Sequence, residues 1–294
     1  MIDFKPIEKE RIEEYRAYYS ADAIGCESNF VNAYLWNEEY MLRATVLDDT
    51  IVKAYFRDEL RVWGYCMPHG KNVKAALEAV FADAAERGQA ARIAYMTKAE
   101  RDELEALFPD RFDYKREEGN QDYIYLSPDL ATLAGKKYHA KRNHISKFYR
   151  TYGDDARFIT LDKSNLDLAL KVAADWCAEN GEDPSDNGEY KVIKKACECF
   201  EELGLHGAVL TVDGKPVAMT MGCAISPVCF DVMFEKALRE YDGVYAVINN
   251  EFAKTLTGYT YINREEDMEL EGLRKSKLSY NPTIIYDRFS AFTK

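Results

Sequence analysis

Several things are missing from this sequence, and each absence removes a class of function. No run approaches the roughly 18 apolar residues that a membrane-spanning helix needs; Val217 to Ile225 is about as apolar as the chain gets. Histidine is scarce, with four among 294 residues. Cys197 and Cys199 stand two apart, so on a helix they point in different directions, and metal-ligand spacing is absent. No Gly-x-Ser-x-Gly signature marks a serine nucleophile. Positive charge is also short: 39 Lys and Arg stand against 51 Asp and Glu, a net charge of −12. That excludes a general nucleic-acid coat, which needs a broad basic surface, but leaves room for one local patch. The opening Met1-Ile2-Asp3-Phe4-Lys5-Pro6-Ile7-Glu8 has no apolar signal region. The seven scattered cysteines read as reduced, buried thiols. The expectation is a cytoplasmic protein.

What is present is a globular composition, 47% hydrophobic and 31% charged, long enough for two domains. In the first half, strands are expected over Met41–Leu47, Ile51–Phe56 and Leu60–Cys66, then a helix over Val73–Arg87 whose apolar positions Ala76, Leu77 and Val80 keep a helical period. Ala91–Met96 follows as a strand, Ala99–Leu107 as a helix and Tyr123–Leu126 as a strand. In the second half, helices over Leu168–Cys177 and Val192–Leu203 precede His206–Val212, which turns through Asp213-Gly214 into Pro216–Ala224. Cys229–Phe234, a helix over Val244–Leu256, Tyr259–Ile262, a helix near Leu270–Leu278 and a last strand Thr283–Phe289 complete it. Each half reads strand, turn, strand, strand, helix, strand, helix, strand. Two copies of one α+β unit, residues 1–128 and 129–294 with a seam at Ser127-Pro128-Asp129, account for that order.

Three stretches are more specific: Lys136-Lys137-Tyr138-His139-Ala140-Lys141-Arg142-Asn143-His144, Val212-Asp213-Gly214-Lys215-Pro216-Val217-Ala218, and Tyr261 to Asp267 with its continuation Gly272 to Pro282. Together they resemble a family of soluble bacterial proteins similar to the C-terminal catalytic domain of phosphatidylglycerol lysyltransferases. That group looks like tandem GNAT acyltransferase modules and is related to the Fem-type enzymes, which move amino acids from aminoacyl-tRNA onto peptidoglycan peptides. The resemblance implies two GNAT-like modules, each a mostly antiparallel central sheet flanked by helices, with the site in the C-terminal one. Where the family usually carries Gly after an Asp-Leu pair, this chain has Asp267-Met268-Glu269.

Candidate residues follow. Ala131 to Gly153 contains six Lys or Arg, two His and no acid. On a helix Lys137, Lys141 and His144 fall within roughly 60°, beside an apolar stripe of Tyr138, Ile145, Tyr149 and Tyr152. With Arg142 they make a patch for donor phosphates, a tRNA acceptor end or a CoA tail; the alternative is a solvated helix at a domain seam. Glu240 to Tyr245 lies where GNAT enzymes hold the CoA pyrophosphate. Gly243, Val244 and Tyr245 are the cofactor candidates, although only one glycine is present and Tyr245 is bulky. Pro68-His69-Gly70-Lys71 is the equivalent turn of the first half, better explained as a plain loop. A GNAT sheet splays near Asn263, and Glu235 ends a core strand facing that opening. Glu235 or Asp267 is the expected base and Tyr280 the acid. Asn263, Glu266, Arg274 and Lys277 would position substrate. The expected activity is acyl or aminoacyl transfer to an amine or hydroxyl of a small-molecule or peptide acceptor, with aminoacyl-tRNA or CoA as donor and no metal. A CoA-dependent N-acetyltransferase and a non-catalytic GNAT-like binding module remain the alternatives.

Overall fold

A computed structural model describes residues 1–294 and divides into two compact units. Unit one comprises Met1–Asp122, Glu266–Arg274 and Ile285–Lys294; unit two comprises Tyr123–Glu265 and Lys275–Ile284. The expected α+β class holds, with a mostly antiparallel sheet in each.

Unit one contributes β1 (Lys5–Pro6), β2 (Leu42–Leu47), β3 (Thr50–Phe56), β4 (Val62–Cys66), β5 (His69–Gly70), β6 (Arg92–Met96) and β7 (Phe112–Arg116). Its helices are α1 (Ile12–Arg16), α2 (Phe30–Leu35), α3 (Val73–Glu86) and α4 (Lys98–Leu107). Asp48 and Asp49, both with positive φ, turn β2 back into β3, as a two-residue hairpin requires. Thr97 opens α4 with a reciprocal capping box to Glu100. Leu77, Val80 and Ala84 of α3 pack on Val52, Tyr65 and Ile93 to form the core.

The second sheet consists of β8 (Asp122–Leu126), β9 (Ala156–Thr160), β10 (His206–Val212), β11 (Lys215–Ser226), β12 (Cys229–Ala237), β13 (Tyr261–Asn263) and β14 (Ile284–Tyr286). Its strand order is β14-β8-β13-β12-β11-β10-β9. Helices α5 (Ser127–Thr132), α6 (His139–Tyr152), α7 (Leu166–Glu179), α8 (Gly188–Glu198) and α9 (Val244–Thr255) follow, and α10 spans Glu271–Leu278. The β10–β12 strands are buried along almost their whole length, which is why they read as continuous apolar runs rather than alternations. A bulge between Met221 and Gly222 sets β12 out of step with β11. Gly222 is obligatory there, because a Cβ would lie 1.8 Å from the Asp231 carbonyl oxygen. Such bulges bend a strand and re-aim its side chains.

Several sequence expectations change. Neither β7 nor β9 was anticipated. The stretch expected as one last strand, Thr283–Phe289, is broken at Asp287-Arg288 into β14 and β15 (Phe289–Thr293), and β15 lies between β6 and β7 of the first sheet. Tyr123–Leu126, expected to close the first half, pairs instead with β13. Short apolar strands suit either sheet, and only long-range pairing selects one. On α6 the buried ring is Phe148; Tyr149 is 38% exposed and bonds Glu251 through its hydroxyl.

Candidate active site

In unit two, β12 and β13 pair in parallel at only three positions: Cys229 with Tyr261, Phe230 with Ile262 and Asp231 with Asn263. Beyond them β12 continues to Ala237, while the other strand ends and Glu265 turns the chain with φ of +54°. The two strands therefore diverge. Glu235 lies on the diverging part of β12, and Arg264, the residue after β13, donates Nη2 to Glu235 Oε1 at 2.7 Å. Asn249 of α9 donates Nδ2 to Glu235 Oε2 at 3.2 Å. The pair is largely shielded, with side chains 10% and 12% exposed. Arg264 Nη1 and Asn249 Oδ1 are buried without a hydrogen-bond partner. The site thus offers one unused donor and one unused acceptor beside a carboxylate. In a buried place that is costly unless a polar ligand completes it.

Aromatic and cationic groups close around this pair. Tyr280 is buried edge-on to Tyr125, with ring centres 6.4 Å apart. The Arg264 guanidinium lies 4.9 Å from the Tyr280 ring centre, and the Lys141 ammonium sits 3.8 Å over the same ring. Lys141 comes from α6, the acid-free basic helix. Burial, helped by the Arg264 charge and opposed by Glu235, lowers its pKa to about 8. Burial also works against the charge on Arg264, but Glu235 outweighs it and holds the guanidinium protonated. The Tyr280 hydroxyl is pushed up by burial, so it keeps its proton throughout the neutral range. Lys277 is buried and donates to the Arg264 and Glu265 carbonyls, bracing the turn that carries Arg264. Tyr125 donates its hydroxyl to the Lys277 carbonyl at 2.8 Å. Asn263 is buried at the end of β13, where its side chain accepts from Glu265 N and shapes the same turn.

The remaining expected residues lie elsewhere. Lys137 precedes α6 and pairs with Asp129. Arg142 donates to the Leu133 and Gly135 carbonyls, so it caps local backbone. His144 is exposed. Of the four basic-helix candidates, only Lys141 reaches the diverging strands. Asp267 and Arg274 belong to unit one and form a two-bond ion pair (2.7 and 2.9 Å) around a fully buried carboxylate that also accepts Glu269 N. That geometry braces a loop. Glu266, also in unit one, lines a cavity with Tyr55, Trp63 and Tyr95.

Gly243 caps α9 with φ of +85°, and a Cβ there would meet the His144 carbonyl oxygen at 2.6 Å. The glycine is thus required by the close approach of α6. Asp242 before it pairs with Lys147, and Tyr245 is 39% exposed on the first turn. His69, in the first-half turn, contacts Glu100 at 2.7 Å, and Lys71 pairs with Asp49. Cys26, Asp122 and Glu266 offer potential metal-ligand atoms within 4.8 Å of one another. However, Arg288 already neutralises Asp122 at 2.8 Å, so one of the three groups is committed to an ion pair. Arg264, at the centre of this cluster, is a residue that the sequence reading did not single out. Its one signal is an arginine directly after a strand end, among acids.

Residues 20–292 match the family described as phosphatidylglycerol lysyltransferase, C-terminal. The chain belongs to that family. A conserved protein of unknown function from Bacteroides thetaiotaomicron is 38% identical, with TM-score 0.92 and all of both chains covered. L-PGS from Bacillus licheniformis has the same fold at 14% identity, with TM-score 0.69 over 100% of this chain and 94% of that one. An uncharacterised protein of Mycoplasmoides gallisepticum is 24% identical over 174 residues, 58% of this chain. The matched stretch spans 56% of that relative's length. The fold is GNAT-like, shared with an acetyltransferase from the GNAT family of Colwellia psychrerythraea at 13% identity and TM-score 0.53. No helix is long and apolar enough to cross a membrane.

Proposed function

We propose that unit two transfers an aminoacyl group from aminoacyl-tRNA to an amine acceptor. The observation that carries this reading is the buried Glu235–Arg264 pair under Lys141, with Arg264 Nη1 and Asn249 Oδ1 unused. The acceptor nitrogen attacks the ester carbonyl carbon, and the bond from that carbon to the ribose oxygen breaks. Glu235 receives the proton lost by the amine. Lys141, with a pKa of about 8, gives a proton to the departing ribose oxygen, and solvent restores both. Arg264 Nη1 is the donor for charge developing on the carbonyl oxygen. Tyr280 supplies the face on which the ammonium rests, and its raised hydroxyl makes it a poorer acid than Lys141. An ester donor fits better than CoA, because the start of α9 is occupied by the α6 carbonyl and an acidic residue.

The test is release of labelled amino acid from a mixed aminoacyl-tRNA pool into a soluble amine product. Because Lys141 acts in its charged form, the rate should fall as pH rises through about 8. Lys141→Arg, which keeps the charge but cannot give up its proton, should lose the acid step, leaving only a small residual rate with no alkaline limb. Turnover of acetyl-CoA with no use of aminoacyl-tRNA, or an unchanged alkaline limb in Lys141→Arg, would refute the proposal.

A further inference from the structure

Two asparagines stand side by side in the buried middle of α9, where a polar side chain of poor helix propensity needs a reason. Asn250 has one. Its Nδ2 donates to the Leu130 and Ala131 carbonyls at 2.7 and 2.9 Å and ties α9 to α5. Asn249 is different. Its Nδ2 donates to Glu235 Oε2 at 3.2 Å, while its Oδ1 is buried with no partner. Turning the amide over does not mend this, because an ionised carboxylate only accepts and would then face the amide oxygen. Holding Glu235 needs a donor alone, and Arg264 already donates to the other carboxylate oxygen at 2.7 Å. The amide oxygen is therefore spare. A buried acceptor left open is costly unless a donor arrives with a ligand.

The number of hydrogens on the attacking atom then matters. A neutral primary amine carries a lone pair and two N–H bonds. The lone pair forms the bond to the ester carbonyl carbon as the ribose oxygen leaves. One N–H proton passes to Glu235, and the other stays on the nitrogen of the amide product. An alcohol or a secondary amine has a single such hydrogen, so none is left once Glu235 has taken it. Asn249 Oδ1 belongs to the same amide that touches Glu235 Oε2, which puts both acceptors within reach of one nitrogen.

We propose that Asn249 Oδ1 receives this second N–H, which makes Asn249 the residue that selects a primary amine as acceptor. The proposal rests on the aminoacyl-transfer reading of unit two and adds the acceptor class to it.

The experiment compares glycinamide with N-methylglycinamide as acceptors of label from the mixed aminoacyl-tRNA pool, with the whole chain and with the protein-free rate subtracted. The two are similar nucleophiles, and in the second a methyl group replaces one N–H. The parent should prefer glycinamide by about tenfold or more. In Asn249→Leu that preference should vanish, chiefly through a slower glycinamide reaction. Leucine matches asparagine in size, so a preference set only by crowding of the methyl group would survive the change. If Asn249 merely holds Glu235, both amines slow alike and the preference also survives. The ratio is read in a variant whose melting temperature stays near the parent's, and Asn249→Ala takes its place if the leucine variant does not fold. Equal use of the two amines by the parent, or an unchanged preference in the folded variant, would overturn the proposal and leave the transfer reading standing. Transfer to neither amine by the parent would sink the transfer reading itself, and this proposal with it.

Discussion

Removing the arginine from the Glu235–Arg264 pair separates its energetic from its chemical role. In Arg264→Met the Glu235 carboxylate, 12% exposed, keeps the hydrogen bond from Asn249 Nδ2 at 3.2 Å. Breaking a buried pair by deleting one partner costs about 3–5 kcal/mol, because the remaining charge is left uncompensated. At about 2–4 °C per kcal/mol for a domain of this size, the melting temperature should fall by roughly 10 °C. Adding Glu235→Leu removes the stranded charge, and the double variant should recover to within about 1 kcal/mol of the parent, since an apolar pair of similar volume replaces a buried ion pair at little net cost. Transfer activity should stay absent in both. The alkaline limb of binding or modification at Lys141 gives an independent sign. Arg264 depresses the Lys141 pKa and Glu235 raises it, so Arg264→Met moves that limb to higher pH and Glu235→Leu alone moves it to lower pH. Thermal melts and a Lys141-specific acylation rate against pH check both. If the two single losses simply add in the double variant, or both limbs move the same way, the pair is not coupled as argued.

Two further outcomes follow from geometry alone. Gly243→Ala should lose about 2 kcal/mol in urea denaturation, because φ of +85° is strained for alanine and its Cβ would meet the His144 carbonyl oxygen at 2.6 Å. Parental stability would show that α6 and α9 are not packed this way. Burial alone would raise the pKa of Glu100, but its contact with His69 and its hydrogen bond from Thr97 outweigh that, lowering it from 4.5 to about 2. A depressed carboxylate stabilises the fold above its unfolded pKa and loses that contribution as pH falls through the folded one. Stability should therefore drop by about 3 kcal/mol between pH 4.5 and 2. Glu100→Gln should lack that part of the drop; an acid limb identical to the parent's would refute the assignment.

Much of the fold was legible because it rests on contacts between near neighbours in the chain. The Asp213-Gly214 turn, the strand His206–Val212 and the helix beginning at Val244 are local matters of turn chemistry and periodicity, and the structure has them at those residues. Glu235 and Tyr280 were also readable, one at the end of a core strand and the other in a loop before proline. Lys141 was named only as one of four equivalent cations in a phosphate patch, since a row of cations on a helix looks alike until packing turns one of them over a buried ring. Arg264 left almost no sequence signal.

Composition and periodicity by themselves determined that this is a two-unit α+β protein without a membrane-spanning helix, acidic overall and with one acid-free basic helix. Tertiary structure alone decided that β15 pairs with β6 and β7, that β8 pairs with β13, and that Lys141, Glu235, Arg264 and Tyr280 meet. The reason is range. A turn or an amphipathic face is selected by energies among residues a few positions apart, whereas strand partners and buried charges are selected by packing between distant segments, 29 residues apart for Glu235 and Arg264 and more than a hundred for β8 and β13.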